Sequence, residues 1–302
     1  MRVGIHLPQL GRSASLDHIV DVGRRAEEAG FDDVWTADHV AVPLELEGMP
    51  GFFPEPVPVL SAVAAHTNRV GLGVSVLVPA YRNPTHFAKQ WATLDWLSGG
   101  RTILGVGAGW LEQEFAACGI PMVDRAGRLD DYIGGWRAAW SGQPTYESGH
   151  FSFHDVKIKP APAGPAPIWI GGTSNGALRR AATIGDGWMG TLAPPDVFAE
   201  RLGRLRGFMD EAGRDPADVT ISIHMEVRIG DPVGEGSRWS EVGDGYGDRA
   251  MISGDAAEIA ARVGDYVEHG LEHVALVPIA ATREEWSEHV DVLAETRRIL
   301  GE

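Results

Sequence analysis

At 302 residues, 44% hydrophobic and 23% charged, the chain can bury a large core and is too apolar for disorder. A formal charge of −16 and a pI near 5.1 exclude the basic grooves that hold nucleic acid and the basic faces that sit on anionic membranes. The single cysteine, Cys118, leaves no internal disulfide and no cysteine metal cluster, and simple packing is the ordinary fate of such a thiol.

Short β-rich runs alternate with amphipathic stretches along the chain, the rhythm of βα units around a parallel sheet. Val3 to Leu7 opens the series, with Pro8 straight after; the apolar run is too short for a signal-peptide core, so a cytoplasmic location is expected. Leu16 to Ala29 reads as a helix with Leu16, Ile19, Val20, Gly23 and Ala26 on one face, stopped by Gly30. Asp33 to Thr36 is a second strand, followed by a Pro- and Gly-rich loop from Pro43 to Pro58 that is long enough to be functional, and a helix from Val59 to His66. Strand Val70 to Val78 precedes helix Thr85 to Leu97; strand Thr102 to Val106 precedes a helix near Asp124 to Trp140. Pro144 to Pro167 reads as an excursion before the fifth strand, Ile168 to Ile170, and helix Asn175 to Ile184. Strand Gly187 to Met189, helix Val197 to Ala212 and strand Val219 to Val227 come next. Gly230 to Gly254, rich in Gly, Asp and Ser without periodicity, reads as a mobile rim loop. Helix Ala256 to His269, strand Val274 to Val277 and helix Glu284 to Leu300 bring the count to about eight units. The expected fold is one (β/α)8 TIM barrel over residues 1–302, with insertions near 43–58, 144–167 and 230–254.

Such barrels carry their active sites at the carboxyl ends of the strands. That filter selects Asp38 and His39 after the second strand, and Pro79, Tyr81 and Arg82 after the third. After the fourth come Gly107, Gly109 and Trp110, and after the fifth Gly171, Gly172 and Thr173. The Gly171–Ser174 segment places two glycines and two hydroxyls at a helix start, where free N–H groups and the helix dipole favour a phosphate. A tight turn with Thr173 or Ser174 as N-cap explains the same residues, and Arg179 and Arg180 fit a solvated helix face. Asp38-His39 sets a carboxylate beside the side chain that titrates near neutrality, which suits proton transfer; capping the next turn is the alternative. Gly71 and Gly73 suit close backbone approach or plain core packing. Gly105, Gly107 and Gly109 leave room above the barrel for a planar ligand, but no acidic residue ends a following strand as a nicotinamide site requires. His269 with His273, and His150 with His154, lack a third metal ligand. Redox chemistry here would therefore need an organic cofactor.

The segments Gly4-Ile-His-Leu-Pro8, Trp35-Thr-Ala-Asp-His39, Gly73-Val-Ser-Val76, Leu104-Gly-Val-Gly-Ala-Gly-Trp-Leu111, Pro167-Ile-Trp-Ile-Gly-Gly172 and Gly185-Asp-Gly-Trp188, in this order and spacing, resemble the luciferase-like flavin and deazaflavin oxidoreductases, most closely the branch that uses coenzyme F420. The resemblance implies that Gly171, Gly172 and Thr173 hold the cofactor phosphate. It implies that Ser75-Val76 is joined by a cis bond in a bulge behind the ring, and that Gly107 and Asp38 lie against the cofactor. His39, tuned by Asp38, is then the candidate for the proton that accompanies hydride transfer. The family's sugar-phosphate dehydrogenases place a glutamate near where Trp110 stands; Trp110 cannot donate a carboxyl proton, so an aromatic wall and an apolar or planar substrate are expected instead. An FMN-dependent monooxygenase, a non-catalytic flavin-binding barrel and a metal-dependent hydrolase are the alternatives. Homodimers are common in the family, and no segment marks an interface.

Overall fold

The computed structural model describes residues 1–46, 49–230 and 251–301. In chain order its elements are β1 (Arg2–His6), α1 (Leu16–Glu28), β2 (Asp33–Thr36), α2 (Pro56–Ala64), β3 (Gly71–Leu77), α3 (Pro84–Ser98), β4 (Thr102–Val106), α4 (Glu112–Ala117), α5 (Arg125–Trp140), β5 (Tyr146–Glu147) and β6 (Ser152–Phe153). There follow β7 (Ile168–Gly171), α6 (Asn175–Ile184), β8 (Gly187–Thr191), α7 (Pro195–Ala212), β9 (Thr220–Ile229), β10 (Ile252–Gly254), α8 (Ala256–Val267), β11 (His273–Pro278) and α9 (Arg283–Gly301). Parallel pairing runs β1-β2-β3-β4-β7-β8-β9-β11 and returns to β1, which closes an eight-stranded (β/α)8 barrel. The short β10 extends the far end of β9, and β5 with β6 forms an antiparallel hairpin inside the 144–167 excursion. Among the described residues no helix is long and apolar enough to cross a membrane.

Local chemistry explains the element ends. Ser15, Asn83 and Ser174 accept backbone N–H groups at the starts of α1, α3 and α6, and Asp255 with Glu258 forms a reciprocal capping box on α8. Outside the sheet, the apolar stripes of the helices and the outward strand residues Ile5, Val34, Leu72, Leu104, Ile170 and Ile223 share one core.

The barrel interior is filled by Trp35, Ile103, Trp169, Met189 and Ala275, with the two indoles 5.5 Å apart. A Cβ on Gly4 or Gly73 would strike Trp35, and one on Gly187 would lie 2.6 Å from Trp169. Glycines on β1, β3 and β8 therefore make the volume that two tryptophans need at native packing density. Beneath them, Asp33 accepts hydrogen bonds from Trp35 Nε1, His273 Nε2 (2.8 Å) and Arg2 (2.8 Å), and His273 Nδ1 meets Ser222 Oγ at 2.7 Å. Burial pushes the Asp33 carboxyl up, but the charge and hydrogen bond of His273, with Arg2 and Trp35, bring it below the usual range. His273 is thus part of the polar floor of the barrel.

Several boundaries move. The buried face of α1 is His18, Ile19, Val22, Gly23 and Ala26; Leu16 is 63% exposed, so the stripe is rotated from the expected one. Helix α2 begins at Pro56, inside the expected loop, because Pro suits a first helical turn. Helix α4 occupies a stretch to which the sequence pattern assigns no element, and strand β10 falls at the end of the expected rim loop. Most of the expected rim loop, residues 231–250, lies outside the described residues.

Candidate functional site

At the carboxyl ends of β2, β3 and β4 a set of ionisable groups converges. His39 Nδ1 lies 3.0 Å from Glu114 on α4, a carboxylate only 1% exposed. Glu114 also accepts the backbone N–H groups of Val40 (2.8 Å) and Ala41 (3.2 Å) and the Tyr81 hydroxyl (3.2 Å). Burial pushes the Glu114 carboxyl up, but the His39 hydrogen bond and charge and the two backbone donors outweigh it, so the group lies below its ordinary value. An ionised Glu114 can only accept, so Nδ1 of His39 carries a proton toward it and Nε2 holds the lone pair when the ring is neutral. Tyr81, raised by burial and then by the Glu114 charge, stays a phenol that donates.

The hydrogen-bond partner of His39 is Glu114, and the oxygens of Asp38 are engaged elsewhere. They take the fork of Arg82 (2.6 and 2.8 Å) and the Val78 N–H (2.9 Å), and Arg82 also reaches Glu55 at 2.8 Å. A bidentate guanidinium is the stronger partner for a carboxylate, so Asp38 ties the end of β3 to β2. Burial lowers the Arg82 pKa, but the charges and hydrogen bonds of Asp38 and Glu55 raise it further, which keeps this link charged.

Trp110 stands beside His39 with ring centroids 6.5 Å apart at 87°, and Phe53 flanks the same imidazole at 5.0 Å and 72°. Sequence reasoning placed Trp110 here and missed Phe53 and Glu114. Both lie off the strand ends, one in the loop before α2 and one on a short helix; the acidic start of α4 after the glycine turn was the available signal.

The Ser75–Val76 peptide is cis, and the β3–β4 register shifts between Val74 and Leu77. The bulge turns Val76 into the barrel. A Cβ on Gly171 would lie 2.6 Å and one on Gly107 2.8 Å from the Val76 methyls, and one on Gly105 would strike the Val74 carbonyl. The space beside Gly105 and Gly107 is therefore taken by the bulge, and that beside Gly109 by Phe115 and Val78. The same Val76 packs against the tryptophan cluster below.

Ser75 Oγ lies 2.9 Å from His6 Nε2 and 3.4 Å from His224 Nδ1, with the two imidazoles 4.7 Å apart. Burial, then His224, holds His6 well below its ordinary pKa, and burial lowers His224 to about 4. Since the unfolded chain binds protons below about pH 6.5 and the folded pair resists, stability is lost as pH falls from about 6.5 toward 4. His224 alone accounts for about 3 kcal/mol across that window. Thermal melts should therefore fall from pH 6.5 to 4, less steeply in His224→Gln; an identical slope in the variant would clear His224 of this role.

At the fifth barrel strand, Gly172 has φ +117, its carbonyl accepts Trp188 Nε1 at 2.9 Å, and Ser174, not Thr173, caps α6 through Ala177 N–H. The first turn of α6 carries no acidic residue. Arg179 pairs with Glu211 and Arg180 with Asp130, both away from this turn. Cys118 is partly buried, and burial and then the Glu114 charge raise its thiol. His150 pairs with Asp131 at 2.7 Å, and no group of three metal-ligating side chains occurs among the described residues.

The family model described as luciferase-like monooxygenase matches residues 1–235. A protein named F420-dependent glucose-6-phosphate dehydrogenase from Beutenbergia cavernae is 34% identical over 280 residues, covering 88% of this chain and 80% of the relative. One of the same name from Kineococcus radiotolerans is 29% identical over 306 residues, covering 88% and 90%. A solved F420-dependent secondary alcohol dehydrogenase in complex with an F420-acetone adduct superposes with a TM-score of 0.84 at 20% identity, over 99% of this chain and 98% of that one; at that identity the likeness is one of fold.

Proposed function

Because this chain belongs to the luciferase-like monooxygenase family, we propose that it is an oxidoreductase transferring hydride between deazaflavin coenzyme F420 and a small organic substrate. The observation that carries this reading is the His39–Glu114 pair at the barrel mouth, set among relatives named as F420-dependent dehydrogenases.

The donor set suits the coenzyme. A left-handed glycine and an acid-free helix start offer backbone N–H groups to an anionic tail at Gly171, Gly172 and Thr173. The Ser75–Val76 bulge, with Gly107 and Gly171 packed closely on the Val76 methyls, offers a rigid apolar seat for a flat ring. Asp38 supports that seat through Val78 and Arg82. When bound, the coenzyme supplies a two-electron hydride donor or acceptor. The chain supplies the rest: Glu114 fixes the His39 ring and its tautomer, Nε2 takes or gives the substrate proton, and Phe53 and Trp110 keep water from the reacting atoms.

Titrating the purified protein with F420 and, separately, with FMN while following fluorescence should give saturable F420 binding; tight FMN binding with no F420 response would reverse the assignment. His39→Ala should slow turnover at least about 100-fold with F420 affinity unchanged. Undiminished turnover would remove His39 from the chemistry.

A further inference from the structure

The surroundings of His39 speak to what it meets. Phe53 and Trp110 both lie edge-to-face with the imidazole. Trp110 is 46% exposed, and Phe53 is half-buried. Large apolar side chains left open beside a buried ionisable pair are the lining of a ligand site, since water is a poor partner for them.

The charges point the same way. Among the described residues here, Asp38, Glu55 and Glu114 are three carboxylates against the guanidiniums of Arg82 and Arg125, which leaves a net charge of −1 with His39 neutral. Arg82 is held by Asp38 and Glu55, and Arg125, the cation at the Trp110 turn, donates to the Gly109 carbonyl at 3.1 Å. A phosphate brought here would lose hydration and meet a field of its own sign.

Resting on the deazaflavin reading above, we infer that the substrate is an uncharged molecule, not a phosphorylated sugar, with an apolar or aromatic body packed against Phe53 and Trp110 and one alcohol or carbonyl oxygen at His39. Oxidation of such an alcohol passes the carbinol hydrogen with its electron pair to the deazaflavin and the hydroxyl proton to His39, leaving the carbonyl; reduction is the reverse. The relatives named for glucose 6-phosphate would then differ from this chain at the substrate wall while sharing its frame.

The test uses the F420-loaded protein with benzyl alcohol, cyclohexanol and glucose 6-phosphate, reading kcat/KM and, by calorimetry, the Kd of each alcohol. A neutral alcohol should exceed glucose 6-phosphate in kcat/KM by about 100-fold or more. Trp110→Ala and Phe53→Ala should each weaken benzyl alcohol binding about 10-fold, with the F420 Kd unchanged. Preference for glucose 6-phosphate, or alcohol binding indifferent to both substitutions, overturns the substrate class while F420 binding still stands. Absence of any F420 response overturns the deazaflavin reading and this inference with it.

Discussion

Glu114→Gln should lower turnover by about 10²- to 10⁴-fold, because exchanging the carboxylate that orients a catalytic histidine for an amide turns the imidazole to the wrong tautomer. The glutamine oxygen can still accept from Val40 and Ala41, so the loop after β2 keeps its place. Its amide nitrogen, however, would donate toward His39 Nδ1 where the carboxylate now accepts at 3.0 Å. A neutral ring then carries its proton on Nε2, the atom proposed to receive the substrate proton. The fall should lie in kcat, with KM and the F420 Kd within about threefold. A merely structural Glu114 would move the melting temperature and leave that kcat-against-KM split absent.

The second large effect concerns the seat beneath the ring. Gly171→Ala puts a methyl 2.6 Å from Val76 Cγ1, and overpacking of this kind costs about 1–3 kcal/mol. The bulge must shift to relieve it, so F420 binding should weaken along with stability. Val76→Ala removes the struck methyl, and the double variant Val76→Ala/Gly171→Ala should recover stability beyond the sum of the single changes, with a coupling of about 0.5–3 kcal/mol. Denaturant melts of the four proteins measure this directly; strict additivity would mean that Gly171 and Val76 do not share the space.

The barrel itself was legible in the sequence because alternation of short β-branched runs with helical stretches is a local signal repeated around the ring. Strand β4 and helix α6 fall where the pattern puts them. The rotated face of α1 shows the limit of that signal: Val20 and Val22 are equally apolar, and only packing against the barrel selects Val22. His39 and Trp110 were reachable because both follow strands closely. Glu114 was hidden because α4 folds back over the mouth, so its carboxylate meets a histidine 75 residues earlier. The hydrogen-bond partner of Asp38 was hidden for the same reason in reverse, since its neighbour in the chain is His39 but its partner in space is Arg82. Gly105 and Gly107 were read as space for a ligand, whereas Val74 and Val76 of β3 occupy it. Long-range pairing, which carries no local pattern, separates what was read from what was missed.

A crystal structure of the protein with oxidised F420 bound decides most directly whether this mouth is a deazaflavin site. The phosphate of the coenzyme should lie within hydrogen-bonding distance of backbone N–H groups at Gly171 to Thr173, with the ring on the Val76 bulge and His39 beside it. Coenzyme found elsewhere, or a mouth that stays closed by its own side chains at saturating F420, would contradict the account.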